Sequence, residues 1–170
     1  MTSIGEGAFE RCSNLMNVTI PDSVTRIGDR AFESCASLMS VTISNSVTSI
    51  GDRAFFGCAC LTSVIIPDSV TSVEEYAFYG CNSLTNVTFV NPNNWTAGTT
   101  SISSTDLSNP TTAAIYLTSS YCGYDWSRTE VTEWFRVFGR ENCEKRQKRN
   151  RVIQKYPDFL GKSGYNSIVC

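Results

Sequence analysis

The chain contains no histidine. This removes Ser-His-Asp and Cys-His nucleophile pairs and every zinc site that needs an imidazole. Long apolar runs are missing too. Hydrophobic residues make up 41% of the sequence, but they come in short pieces such as Val64–Ile66, so no segment spans a bilayer as a helix. The opening stretch "MTSIGEGAFERC" has neither the basic start nor the apolar centre of a secretory signal. No glycine-rich phosphate loop is present.

The net charge of −2 conceals a division. Residues 1–127 carry 4 basic and 11 acidic side chains, whereas residues 128–170 carry 10 basic and 5 acidic ones. The two parts therefore present surfaces of opposite sign, −7 and +5.

What is present is a repeat. "AFERCSNLMNVTIP" returns as "AFESCASLMSVTIS", "AFFGCACLTSVIIP" and "AFYGCNSLTNVTFV". Phe9, Phe32, Phe55 and Phe78 are 23 residues apart, as are the columns that begin at Ala8, Cys12, Leu15 and Val18. Residues 24–46 and 47–69 share 15 of 23 letters. A fixed period of this size specifies a solenoid whose coils have no core of their own and bury their apolar side against their neighbours.

Within a coil, Val18 and Ile20, or Val64 and Ile66, alternate as in a strand. Val24 and Ile27 point inward in a second extended piece that Gly28 ends, and "AFESC" fits a single helical or 3₁₀ turn. Coils stacked at the parallel-strand spacing of ~4.8 Å turn each constant letter into an interior column. The drifting letters form the surface. Asp22, Asp29, Asp52 and Asp68 then sit singly on turns, which suits solubility and not paired acid–base work. No catalytic residue and no cofactor is expected.

The frame C-x-x-L-x-x-V-x-I-P-x-x-V-x-x-I-G-x-x-A-F resembles the 23-residue leucine-rich repeats of the BspA-like (Treponema pallidum-type) family, in four copies over residues 1–92. The resemblance implies a curved or gently twisted solenoid on a secreted or cell-surface microbial protein that acts in adhesion and protein binding. Residues 93–128 are similar to the segment that closes such arrays. Met1 stands where Val24, Val47 and Val70 stand in later coils, so a fragment of a longer array is expected, with a truncated, functionless copy as an alternative.

The composition changes at Asn91. "NPNNWTAGTTSISSTDLSNP" reads as loop. Asn109-Pro110 starts a helix that carries Ala113, Leu117 and Tyr121 on one face, a lid for the last coil. Ser127 and Glu130 read as a capping box, with Trp126 and Val131 as a hydrophobic staple. They introduce a helix whose apolar face is Val131, Trp134, Phe135 and Phe138. From residue 129 the chain is expected to be an amphipathic, then basic and partly disordered, helical tail.

Four groups of residues are candidates for chemistry. The equivalent cysteines Cys12, Cys35, Cys58 and Cys81 should have Cβ atoms ~4.8 Å apart with parallel vectors. Disulfides want ~3.5–4.5 Å and convergence, so a buried thiol ladder is expected. Cys58-Ala-Cys60 lacks zinc-knuckle spacing, so no metal site is assigned, and Cys60 is a candidate exposed thiol. The outward strand face carries Asn17, Thr19, Ser40, Thr42, Ser63, Ile65, Asn86 and Thr88, a small, hydrogen-bonding array offered to a protein or glycan partner, with Ile65 as its one apolar contact. "NVT" at 17–19 and 86–88 and "NWT" at 94–96 match glycosylation acceptors, two of them generated by the repeat itself. Lastly Lys145, Arg146, Lys148, Arg149 and Arg151 could contact phosphates, which gives a second reading as a cytoplasmic binder of nucleic acid or another polyanion. No aromatic residues interleave with these charges, and nucleic acid is the less favoured partner. The sequence leaves the oligomeric state open.

Overall fold

The computed structural model describes residues 2–129, which lie in one compact unit. Four coils follow one another, each contributing one strand to each of two sheets. The first strand of each coil, β1 (Ser3–Ile4), β3 (Arg26–Ile27), β5 (Ser49–Ile50) and β7 (Ser72–Val73), is parallel to the next at an offset of 23 residues. The second strands do the same: β2 (Asn17–Thr19), β4 (Ser40–Thr42), β6 (Ser63–Ile66) and β8 (Asn86–Phe89) form a four-stranded parallel sheet.

The register places like over like. Val18 faces Val41, Val64 faces Val87, and Ile27 faces Ile50. Phe32, Phe55, Leu38, Leu61, Cys35 and Cys58 are fully buried, which makes the constant letters the core. Neighbouring rings of the Phe9–Phe32–Phe55–Phe78 column lie 5.1, 5.2 and 5.3 Å apart, the planes within 11° of parallel. Phe9 is 40% exposed, because among the described residues no coil covers its outer side.

The third side of each coil departs from the sequence reading. The segment expected to make one helical or 3₁₀ turn is closed by an i→i+3 bond, Cys35 N–H to Phe32 O at 3.2 Å, but two left-handed residues break any helix. Gly7, Arg30, Arg53 and Tyr76 all take φ of 52–59°, as do Arg11, Ser34, Gly57 and Gly80 at 58–77°. This aims backbone donors along the solenoid axis. Phe32 N–H reaches Ala54 O, Ser34 N–H reaches Phe56 O and Arg30 N–H reaches Asp52 O, all at 2.7–2.8 Å. The turn is thus a third inter-coil ladder, and its bonds offset the strain of non-glycine residues in the left-handed region.

The closing segment also differs from expectation. Residues read as loop form a hairpin, β9 (Trp95–Ala97) and β10 (Thr100–Ser101), turned at Gly98 with φ +57°. Ser127, read as a helix cap, lies in strand β11 (Trp126–Arg128), its hydroxyl 3.0 Å from that of Thr96. β11 runs antiparallel between β7 and β9, so the first sheet ends in the order β7-β11-β9-β10. The physical reason is Trp126, buried beside Phe89 and Trp95, with its indole N–H donated to Tyr121 O at 3.1 Å. Arg128 ties the strand down by donating to the Asp68 carboxylate at 2.6 Å and to the Asp68 backbone carbonyl. That guanidinium holds the Asp68 carboxyl below its ordinary value.

Two short helices complete the lid, α1 (Ser104–Leu107) and α2 (Pro110–Ile115), the latter continued by a π-helical stretch, Tyr116–Ser120. Asn109 caps α2 as read, its side-chain oxygen accepting from Thr111 and Thr112 N–H, and α2 packs on β8 through buried Ala113 and Ala114. The helix expected over Val131, Trp134, Phe135 and Phe138 lies outside the described residues.

Candidate binding surface

All eight side chains named on the strand face point outward. Asn17, Thr19, Ser40, Thr42, Ser63, Ile65, Asn86 and Thr88 are exposed, while Val41, Val64 and Val87 between them are buried. This follows from the pleat, which sends alternate residues to opposite faces. The register gathers them into two rows. Asn17, Ser40, Ser63 and Asn86 are direct neighbours across the sheet, and Thr19 pairs with Thr42 as Ile65 does with Thr88. Ser40 donates to the Asn17 side-chain oxygen at 2.6 Å. No member of the array is charged, and Ile65 stands 59% exposed among hydroxyls. Sequence reasoning missed Met16 and Met39, exposed at the rim where the chain enters β2 and β4. It also missed Phe56, Tyr76 and Tyr79 on the turn edge, where successive rings touch. Their signal was a drift in letter type, Glu10 and Glu33 giving way to Phe56 and Tyr79 in one column.

The cysteine column is a thiol ladder with a specific bonding pattern. Cys35, Cys58 and Cys81 each donate S–H to the carbonyl of the preceding coil's phenylalanine (Phe9, Phe32 and Phe55) at 3.1–3.2 Å. All three are buried and unbridged; Cys12, expected among them, is exposed with the open side of its coil, as is Cys60. Burial pushes the Cys81 thiol up to about 12 and raises Cys35 and Cys58 as well. The native state therefore holds protons that the unfolded chain releases near pH 9. Stability is complete below that pH and is lost as pH rises towards 12, by ~1.4 kcal/mol per unit for Cys81 alone. Urea midpoints measured from pH 7.5 to 10.5 check the slope. Native-state alkylation should modify Cys12 and Cys60 and spare Cys35, Cys58 and Cys81.

Among the described residues no group of three or more acidic or cysteine side chains is placed to share a metal ion, and no helix is long and apolar enough to cross a membrane. Lys145, Arg146, Lys148, Arg149 and Arg151 lie outside the described residues.

Parallel coils with a constant apolar column at every corner define a leucine-rich-repeat β-solenoid. The model of the BspA-type leucine-rich repeat region, in six copies, matches residues 2–122, and the chain belongs to that family. A leucine-rich cell surface protein of Faecalibacterium prausnitzii is 40% identical over 56% of this chain and 25% of its own, with a TM-score of 0.51. A leucine-rich-repeat protein of Bacteroides capillosus is 39% identical over 52% of this chain and 63% of its own, with a TM-score of 0.48. The leucine-rich-repeat protein of T. pallidum is 25% identical over 51% of each chain, with a TM-score of 0.45. The chain thus covers less than two thirds of the length of each of these structures. No curated protein matches it.

Proposed function

We propose that the chain is a non-enzymatic binding module that presents the outer face of the β2-β4-β6-β8 sheet to a protein or glycan partner on a cell surface or in the surrounding matrix. The observation that carries this reading is the registered array of eight exposed, uncharged side chains held on a parallel sheet. Because the backbone beneath is locked by the inter-coil ladders, a partner meets the face without having to order it. Ile65, the apolar group at its centre, is the anchor, ringed by groups that can each donate and accept. The F. prausnitzii relative is described as a cell surface protein, which supports a surface location for this one. The reading as a polyanion binder rests on the charges of residues 145–151 alone.

Replacing Thr42, Ile65 and Thr88 together by Lys leaves the core untouched. It should cut binding to arrayed glycans and immobilised matrix proteins at least tenfold, ~1.4 kcal/mol or more, by burying unpaired charge in the contact. Binding that survives the triple substitution removes the face from consideration.

A further inference from the structure

The turn edge of the solenoid changes character in its third and fourth coils. At one column Glu10 and Glu33 are followed by Phe56 and Tyr79; at another, Gly7, Arg30 and Arg53 are followed by Tyr76. The new rings form one cluster. Phe56 and Tyr79 lie 5.5 Å apart, tilted by 35°, and Tyr76 meets Tyr79 edge-on at 5.9 Å. Tyr79 is 45% exposed, and Phe56 and Tyr76 are half-buried. Tyr76 is held in place within the cluster: its N–H donates to Cys122 O at 2.6 Å, and its phenol packs on Gly123, where a Cβ would come within 3.2 Å of the oxygen.

Carboxylates lie beside Tyr76, which directly follows Glu74 and Glu75 in the chain. Glu75 and Asp125 are exposed and adjacent, with the Glu75 N–H on the Asp125 carboxylate at 3.2 Å. Asp52 and Glu74 lie on the same edge, joined through the Asp52 N–H at 3.2 Å. Against these four acids stand Arg53, whose guanidinium sits 5.3 Å from the Tyr76 ring centre and 2.7 Å from Asp52, and Arg26, 3.4 Å from the Glu74 carboxylate. The net charge of this patch is therefore negative.

We propose that this edge docks a basic polypeptide segment, receiving arginine or lysine side chains of the partner on the Phe56–Tyr76–Tyr79 cluster, with Glu75 and Asp125 as counter-charges. Ring faces are electronegative and attract guanidinium and ammonium groups, as Arg53 over Tyr76 already shows within the fold. Carboxylates complete the recognition with charge-assisted hydrogen bonds. Tyrosines fixed by packing offer this contact at little entropic cost. The same charge repels nucleic acid, and a neutral glycan would leave the carboxylates unused. The edge is separate from the strand face and stands independently of it.

The coil itself supplies the decisive variant. Glutamate occupies the column of Phe56 and Tyr79 in the first two coils, so Phe56→Glu with Tyr79→Glu fits the fold while making the edge more acidic. The probe is a fluorescent peptide of alternating Arg and Gly, titrated into the full chain and followed by anisotropy. Saturable binding is expected, about tenfold weaker in the double variant despite its added negative charge. Glu75→Gln with Asp125→Asn should weaken binding and flatten its salt dependence, while Thr42→Lys should change nothing. Three results would overturn the proposal: no binding of the peptide, equal or tighter binding by the glutamate variant, or equal binding of a peptide with Glu in place of Arg.

Discussion

Phe55→Ala should lower the stability of the solenoid by ~3–5 kcal/mol, a large part of what a chain of this size has to lose. Phe55 is fully buried and stacks on Phe32 at 5.2 Å and on Phe78 at 5.3 Å. Parallel rings at that centroid distance are slid past one another, the arrangement the ring quadrupole favours, worth ~0.5–1.5 kcal/mol per pair beyond burial. Truncation removes both pairs and leaves a cavity between coils that cannot collapse, because three backbone ladders fix their spacing. Phe9→Ala is the matched control: same column and chemistry, but 40% exposed and, among the described residues, stacked on Phe32 alone at 5.1 Å. Its cost should stay near 1–1.5 kcal/mol, scaled to one partner and partial burial. Urea unfolding followed by far-UV circular dichroism reads both. Equal costs for Phe9→Ala and Phe55→Ala would mean that inter-coil stacking does not hold the array together.

The columns were legible in the sequence because parallel stacking at constant register gives each interior position the same neighbours in every coil. The environment of Phe32 is that of Phe55, so the same letter recurs. The strand face was legible for the related reason that burial alternates along β4, β6 and β8. The turn was not. Arg30 and Ser34 adopt a left-handed backbone that costs roughly 1–2 kcal/mol per residue locally, and what stabilises it is a carbonyl in another coil. Nothing within "GDRAFESC" reports that partner. The hairpin of β9 and β10 was hidden similarly: its threonines, serines and asparagines read as loop, and its pairing strand lies some thirty residues on, where Trp126 faces Ala97. The aromatic edge escaped because Phe56 and Tyr79 occupy drifting positions, where a change of letter looks like neutral surface variation.

That long-range pairing makes the closing strand the second sensitive point. In the coils, each turn donates backbone N–H groups to the coil that follows: Arg30 to Asp52 O and Arg53 to Glu75 O. Tyr76 in the fourth coil makes the equivalent bond to Cys122 O at 2.6 Å, so the closing segment stands in for a next coil. Its anchor is Trp126, 1% exposed, flanked by Phe89 at 6.1 Å and Trp95 at 6.4 Å. Trp126→Ala should cost ~3–5 kcal/mol by cavity formation and detach β11 from β7 and β9. The freed β7 edge then presents unpaired backbone groups, which favours self-association. In a solenoid each coil contacts only its neighbours, so the damage should be graded. Amide exchange should accelerate most at Val73, Ala97 and Glu75, and least at Ile27 and Ile50. Trp126→Phe, which keeps a ring but loses the indole bond and some volume while Tyr124 N–H still donates to the Tyr121 carbonyl at 3.2 Å, should cost only ~1–3 kcal/mol. Uniform loss of protection from Ile27 to Ala97 would show instead that the four coils and their closure unfold as a single unit.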